Sequence, residues 1–275
     1  DLNLSCRKEH TCIKCLSCNE VSLIQDICPK CKSNKLDFVS LPCQNCISSL
    51  KKETLNLIKI LTTDLQIRRE NILVSFSGND GFHLYVANSA YNTLGSKERS
   101  DLSDYIMFRR AIPEAFGFKK ANPSRSLLPE LAEPGWRGRV AAGLFASKSN
   151  RSKGVTKIIS DGYHAYRQRL EEMGKNSIGI RIDPNVTVDI HRIFRLEGSL
   201  NSKSGLVKLA CENIEKFSPY TEACLIDDKP VEVLANCPIV FRLKNKKFGP
   251  YANETVSIPK FTAVYMICKG IANLA

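Results

Sequence analysis

Residues 72–86 read ILVSFSGNDGFHLYV, and this run decides the fold class. Ile72 to Phe76 is short, apolar and β-rich, which predicts a buried strand. Ser77 to Gly81 is a tight turn, because glycine and Asn/Asp tolerate the backbone angles that turns demand. Phe82 to Val86 alternates in character and returns as a second strand. This is strand–turn–strand, not the strand–loop–helix that opens a dinucleotide-binding fold.

Outward from this hairpin the chain mixes helix and strand. Leu50, Leu57, Ile58, Leu61 and Leu65 recur at helical spacing and predict a helix over Ile47 to Gln66. Ser100 to Met173 is helical and loop-rich. It contains the proline-punctuated stretch Pro123 to Pro134 and the basic run Gly135-Trp136-Arg137-Gly138-Arg139. Ile178 to Asp183 reads as a strand ending in a carboxylate, Val188 to Leu196 as a helix with Ile190, Ile193 and Phe194 on one side. Pro238 to Leu243 reads as a strand and Ala263 to Ala272 as a closing helix. The expected class is α/β in the mixed α+β sense. There is no internal repeat, and 275 residues suit one large domain or two small ones. No apolar run approaches the ~20 residues of a membrane-spanning helix. The opening DLNLSCRKEH carries no signal-peptide pattern and no initiator methionine, so a fragment is expected.

Eight of the twelve cysteines fall in the first 46 residues, six of them in C-x-x-C pairs. Paired knuckles in an ordinary sequence point to intracellular metal binding rather than a disulfide framework. Cys15, Cys18, Cys28 and Cys31, two knuckles nine residues apart, offer the four tetrahedral thiolates of a zinc ribbon. A redox dithiol would need only one pair. Outside the ribbon, His10, Cys12, Cys43 and Cys46 form a second candidate zinc set, with Cys6 able to replace one of them. Two zinc ions per chain are expected, against one zinc and several free thiols. The four late cysteines are expected to be small buried hydrophobes.

Charge is uneven. The net +12 is nearly absent from residues 1–50, whereas Arg109 to Lys157 holds eleven basic and three acidic side chains. Such a surplus suits a polyanionic partner; the alternative is a solvated basic surface. Trp136 within it is either a base-stacking platform or core.

Ser77, Gly78 and His83 bring a hydroxyl, turn amides and an imidazole together, all able to donate to phosphate oxygens. Asp183 is ambiguous alone, but paired with a second carboxylate it could hold two Mg²⁺ ions for nucleotidyl transfer. These residues carry a resemblance. Ser77-Gly78-Asn79-Asp80-Gly81-Phe82-His83 resembles the S-G-x-x-G-x-H motif of the small, catalytic subunit of archaeal and eukaryotic DNA primases. Ile180 to Leu200 resembles the segment around that family's third catalytic aspartate. Gly135 to Arg139 and Ala263 to Gly270 resemble the archaeal branch, so the likeness covers nearly the whole chain.

The resemblance implies a mixed-sheet primase catalytic core with an inserted zinc-binding module and a helical insertion. The core would comprise residues 1–9 with 47–100 and residues 176–275, the zinc module 10–46, and the helical, basic insertion 101–175. Asp1 fits the second aspartate of the family's D-x-D pair, the first lying upstream, so the chain is expected to start inside its catalytic motif. Asp183 matches the third aspartate, with Asp189 as rival. Both aspartates would hold Mg²⁺ or Mn²⁺. Ser77, Gly78 and His83 would bind the incoming triphosphate, and Arg181 and Arg195 match basic positions of that site. Asn201, also expected to bind the nucleotide, stands where a histidine is common, and Asp80 where a basic residue often lies. Cys43 and Cys46 match half of the family's zinc knuckle, which makes Cys15 to Cys31 an inserted ribbon.

The function so implied is template-directed primer synthesis on single-stranded DNA from nucleoside triphosphates. The partner would be a large subunit carrying an iron–sulfur cluster, and the setting cytoplasmic, at the nucleoid. The rivals are a related primase-polymerase extending ends in repair, and a catalytically silent zinc-ribbon nucleic-acid-binding protein.

Overall fold

The structure is a computed structural model that describes residues 4–87, 90–119, 127–145 and 148–275. Helix α1 (Leu4–His10) runs directly into strand β1 (Thr11–Cys15). β1 is the centre of an antiparallel sheet, with β2 (Val21–Leu23) on one side and β3 (Leu36–Ser40) on the other. Then come α2 (Gln44–Thr63) and the hairpin strands β4 (Ile72–Phe76) and β5 (Phe82–Val86), both at their expected bounds. The helical stretch supplies α3 (Ser96–Ile106), α4 (Gly135–Leu144), α5 (Lys148–Met173) and the single turn α6 (Pro184–Val188). The C-terminal part contributes β6 (Leu209–Ala210), α7 (Pro219–Glu222), β7 (Pro230–Cys237), the hairpin β8 (Phe241–Leu243) and β9 (Lys246–Phe248), β10 (Tyr251–Pro259), α8 (Lys260–Cys268) and β11 (Ala272–Leu274). Helices and small antiparallel sheets make this an α+β chain.

Two compact units result. The first takes in the chain up to Lys52, Leu73–Tyr85 and Phe194–Ala275; the second takes in Glu53–Ile72 and Val86–Ile193. In the first unit β4 lies between β5 and β6. Phe76, fully buried, anchors an aromatic cluster with Phe82 and Phe217 at centroid separations of 5.8 and 5.9 Å. β7 lies between β10 and β11 and alternates as a half-covered strand should, burying Val233, Ala235 and Cys237. Cys211, Cys224 and Cys237 are buried as expected of small hydrophobes, and Cys268 is half-buried.

The core of the second unit is built from Phe116, Val140, Phe145, Tyr166 and Leu170. Trp136 packs against it, stacked on Tyr105 at 5.1 Å and donating Nε1–H to the Tyr105 carbonyl at 2.8 Å. An indole needs a partner for its N–H when buried, and this one has it. Of the two expectations for Trp136, core holds.

Four expectations are corrected. Residues 178–183 are extended but make no strand. Gly174–Ile178 is a π-turn, and beyond it the backbone lies against the end of α3, with Ile180 N–H donating to Ile106 O. A Cβ at Gly179 would fall 2.4 Å from Met107 O, so only glycine permits that approach. The helix forecast over 188–196 is displaced: Asp183 caps α6, Pro184 occupies its first position, and the extended backbone of Asp189 ends it. Ile190, Ile193 and Leu196 therefore stay exposed despite their helical spacing. The closing helix starts earlier than expected and stops at Cys268, where Gly270 at φ 70° turns the chain back into β11. The strand forecast from Pro238 begins only at Phe241.

Candidate functional site

Among the described residues, two clusters of ligand-type side chains form, both in the first unit: Cys15, Cys18, Cys28 and Cys31, and Cys6, His10, Cys43 and Cys46. The ribbon set is as the knuckle spacing predicts, with Cys15 and Cys31 Sγ 3.5 Å apart and Cys18 and Cys28 Sγ 3.6 Å apart. Four thiolates at about 2.3 Å from one zinc lie about 3.8 Å from each other, so the donors suit the ion in kind and spacing. Burial opposes ionisation of Cys15, but the Ser17 and Cys18 amides and the Cys31 thiol outweigh it and bring its pKa to about 6. Its thiolate, the form a metal takes, is favoured at the expense of Cys18, which against the Glu20 amide is pushed up to about 12 by burial and the Cys31, Cys28 and Cys15 thiols.

The outer set differs from the expected one. Cys6 joins it and Cys12 does not. Cys6 and His10 are one helical turn apart on α1, so both face Cys43 and Cys46: Cys6 Sγ lies 3.4 Å from His10 Nδ1 and 3.0 Å from Cys43 Sγ, and Cys46 Sγ lies 3.5 Å from His10 Nε2. Cys12 is on β1, opposite Val39, with its side chain turned into the protein and no exposed surface. Burial also raises its thiol pKa to about 12, but it is this enclosed position, away from the other three ligands, that keeps it out of the set. The i, i+4 spacing of Cys6 and His10 was the signal in the sequence.

The Ser77 turn is held by a second segment of the same unit. Ser77 N–H donates to Gly81 O at 2.8 Å, and Ser77 Oγ accepts from the Asn79 and Gly81 amides at 3.3 and 3.2 Å. Ser77 O accepts from Arg195 Nη1 at 3.2 Å and from Asn201 Nδ2 at 3.1 Å, and Ser204 Oγ donates to Gly78 O. Asn201 is buried, and its Oδ1 accepts from Lys203 N–H. Both ends of its amide are therefore spent on protein. Expected as a nucleotide contact, it instead positions the turn. Lys208, unnoticed in the sequence, is buried and donates to Tyr85 Oη at 2.5 Å and to Arg195 O at 2.7 Å, tethering the backbone that aims Arg195. His83 is half-buried on β5.

Gly78 sits at φ +82°, and a Cβ there would meet Leu206 O at 2.9 Å and Asn201 Cβ at 3.0 Å. Gly78→Ala is expected to cost about 1–3 kcal/mol through the left-handed backbone and the displaced 201–206 loop. A urea midpoint unchanged from wild type would show that the loop gives way freely.

In the second unit Asp183 is exposed at the start of α6. Its Oδ1 accepts from Asn185 N–H at 3.1 Å, and its Oδ2 lies 3.6 Å from Arg192 Nη2. The rival Asp189 accepts from His191 N–H at 3.0 Å. Arg181 is paired with Glu53 at 2.9 Å. Asp1 lies outside the described residues. Among the described residues Asp183 belongs to no group of three or more metal-type ligands.

The basic segment is less available than its count suggests. Arg137 is held by Glu133 and by Ala115 and Leu127 carbonyls, Arg139 pairs with Asp64 at 2.9 Å, and Arg151 bonds Leu128 O. These arginines brace the helical unit. Lys153 and Lys157 on α5 remain exposed, one turn apart. No described helix is long and apolar enough to cross a membrane.

Residues 36–211, which include the Ser77 turn and Asp183, match the family described as DNA primase small subunit. The chain is 54% identical over its full length to the DNA primase small subunit PriS of Nitrosopumilus maritimus, covering 74% of that protein. It is 45% identical, again over its full length, to the PriS of Cenarchaeum symbiosum, covering 73% of it. With the PriS of Methanococcoides burtonii it shares 27% identity over 82% of this chain and 70% of the relative.

Proposed function

The chain belongs to the DNA primase small-subunit family, the archaeal-type catalytic subunit of a DNA primase, and from that premise we propose how its residues divide the work. The reaction joins a 3′-hydroxyl to the α-phosphate of a nucleoside triphosphate paired with single-stranded template, releasing pyrophosphate. We assign triphosphate binding to Ser77, Gly78, His83 and Arg195. The turn is held from behind by Asn201, Ser204 and Lys208, so its donors are set before nucleotide arrives, which is how electrostatic preorganisation lowers a barrier. Arg181, paired with Glu53, is assigned as a further cation of the nucleotide site on the resemblance alone.

Asp183 is assigned as a ligand of the catalytic Mg²⁺ or Mn²⁺. Its carboxylate is exposed, hard and oriented by the Asn185 amide, which suits such an ion. Asp1 is assigned as its partner on the resemblance alone. The bound ions would lower the pKa of the attacking hydroxyl and neutralise charge on the leaving pyrophosphate. The two thiol-rich clusters are assigned as structural zinc sites, with the ribbon an insertion between the halves of the outer one. The template is assigned to exposed cations such as Lys153 and Lys157, a contact that is sequence-blind and salt-sensitive. We further propose a heterodimer with a large primase subunit, acting in the cytoplasm at the nucleoid.

The observation that carries this proposal is the family match across residues 36–211, which includes both the phosphate-type turn and Asp183. Its test is primer synthesis on poly-dT with labelled ATP or dATP, with and without the large subunit. Short products that need template and divalent metal are expected. Extension of supplied ends without any start from single nucleotides would favour the repair-type polymerase. Template binding with no incorporation would leave only the nucleic-acid-binding protein.

A further inference from the structure

The turn that carries Ser77 brings no cation of its own. Its ionisable side chain is Asp80, and a carboxylate beside a triphosphate repels it. The compensating charge comes from elsewhere in the first unit. Lys269, the residue that follows the last turn of α8, places Nζ 3.0 Å from Asn79 Oδ1. Asn79 Nδ2 in turn donates to Asp80 Oδ2 at 2.6 Å. An ammonium only donates and a carboxylate only accepts, so the Asn79 amide can bridge them in one orientation alone. The result is a relay, Lys269–Asn79–Asp80, with the opposite charges one amide apart rather than in contact.

That arrangement leaves the ammonium under-used. Among the described residues its hydrogen-bond acceptor is the neutral Asn79 oxygen, although an ammonium offers three N–H groups. Its other close partner is the Tyr265 ring, 5.6 Å from Nζ. The surroundings oppose the charge: burial lowers the Lys269 pKa, Asp80 raises it, and Lys203 lowers it again. Lys269 and Arg195, both half-buried, thus meet at a turn that contains one carboxylate, and the exposed Lys203 is near enough for Lys269 to feel its charge. A half-buried excess of positive charge is relieved by an anion with several oxygens, and less well by a single carboxylate.

We infer that Lys269 is the cation that grips the terminal phosphates of the nucleotide bound at the Ser77 turn, and that its bond to Asn79 is its resting position. On nucleotide arrival Nζ exchanges the neutral amide oxygen for charged phosphate oxygens, a stronger acceptor. Asp80 keeps the ammonium close while the site is empty, which accounts for an acidic residue at a phosphate turn. This rests on the assignment of that turn to the triphosphate and adds the residue that would discriminate by phosphate number.

The test compares the full-length chain with K269M and K269Q, which keep most of the side chain's volume, in equilibrium binding of ATP, ADP and AMP with Mg²⁺. Loss of one charge-assisted contact should weaken ATP roughly ten- to hundredfold, ADP less, and AMP hardly at all. Retained AMP binding also reports an intact fold. Equal weakening of all three nucleotides in both variants, or unchanged ATP binding, overturns the inference and makes Lys269 a packing residue, while wild-type ATP binding and incorporation leave the broader assignment standing. Wild-type protein that binds none of the three overturns the assignment of the turn and the inference with it.

Discussion

Asp183→Asn reduces nucleotide incorporation by about three orders of magnitude while leaving folding and template binding intact. The fold should survive because the local role of Asp183 is to cap α6: its Oδ1 accepts from Asn185 N–H. Asparagine caps helix N-termini as well as aspartate does, so that bond is kept. What is lost is the anionic oxygen pair that a hard cation requires. Metal stabilisation of the reaction is worth several kcal/mol, and each 1.36 kcal/mol is tenfold in rate. Asp189→Asn is the control, since that carboxylate also accepts one backbone bond, from His191 N–H, and sits at the other end of α6. Single-turnover extension of a labelled primer with saturating Mg²⁺ measures both. Full activity in Asp183→Asn with collapse in Asp189→Asn would move the ligand to the rival, and full activity in both would end the metal assignment for α6.

Exchange of Cys6 for alanine removes one zinc per chain and unfolds the base of the zinc module, whereas the same change at Cys12 keeps both ions. The contrast follows from place. Cys6 Sγ lies within 3.4 Å of His10 and 3.0 Å of Cys43, while Cys12 Sγ has a weak 3.9 Å contact with Val39 O and is fully enclosed. A structural zinc site contributes on the order of 10 kcal/mol, so loss of one of four ligands should lower Tm sharply. Cys12→Ala removes one buried sulfur, at about 1 kcal/mol. Metal content by mass spectrometry, with thermal unfolding on the same samples, decides it: two ions in Cys6→Ala and one in Cys12→Ala would restore the ligand set expected from the sequence.

The parts of this chain that were legible in its sequence are those where one short-range rule acts alone. Residues 72–86 formed a hairpin because alternation and turn chemistry agree there, and the ribbon formed because two knuckles at fixed spacing leave one geometry. Where two local rules competed, the apolar pattern misled. Ile190 and Ile193 have helical spacing, but Asp183 and Pro184 set the start of the helix earlier and Asp189 ended it. The outer zinc set failed for a related reason: spacing alone pairs His10 with Cys12 and leaves Cys6 as a substitute, while His10 closes a helix whose preceding turn presents Cys6. Contacts between distant segments left no local mark at all. Nothing near Lys208 or Lys269 in the chain points to Arg195 or Asn79. Asn201 had a visible position but not a visible task, because its amide is consumed by a turn 124 residues away.

β1 and β3 are paired over five rungs, from Thr11 opposite Ser40 to Cys15 opposite Leu36, so the two thiol clusters sit at opposite ends of one ladder. That shared ladder gives the ribbon a part in assembly as well as in architecture. Without it, bringing His10 to Cys43 means closing a long excursion of chain in a single step. Once Cys15 and Cys31 are clamped together, the excursion is roughly halved, which lowers the entropy of closure by only about 0.6 kcal/mol. The larger gain is in sequence of events: a hairpin of local knuckles can zip first, lay β3 against β1 rung by rung, and deliver the second knuckle to the helix end already in register. The insertion would then act as a starter for the site it interrupts.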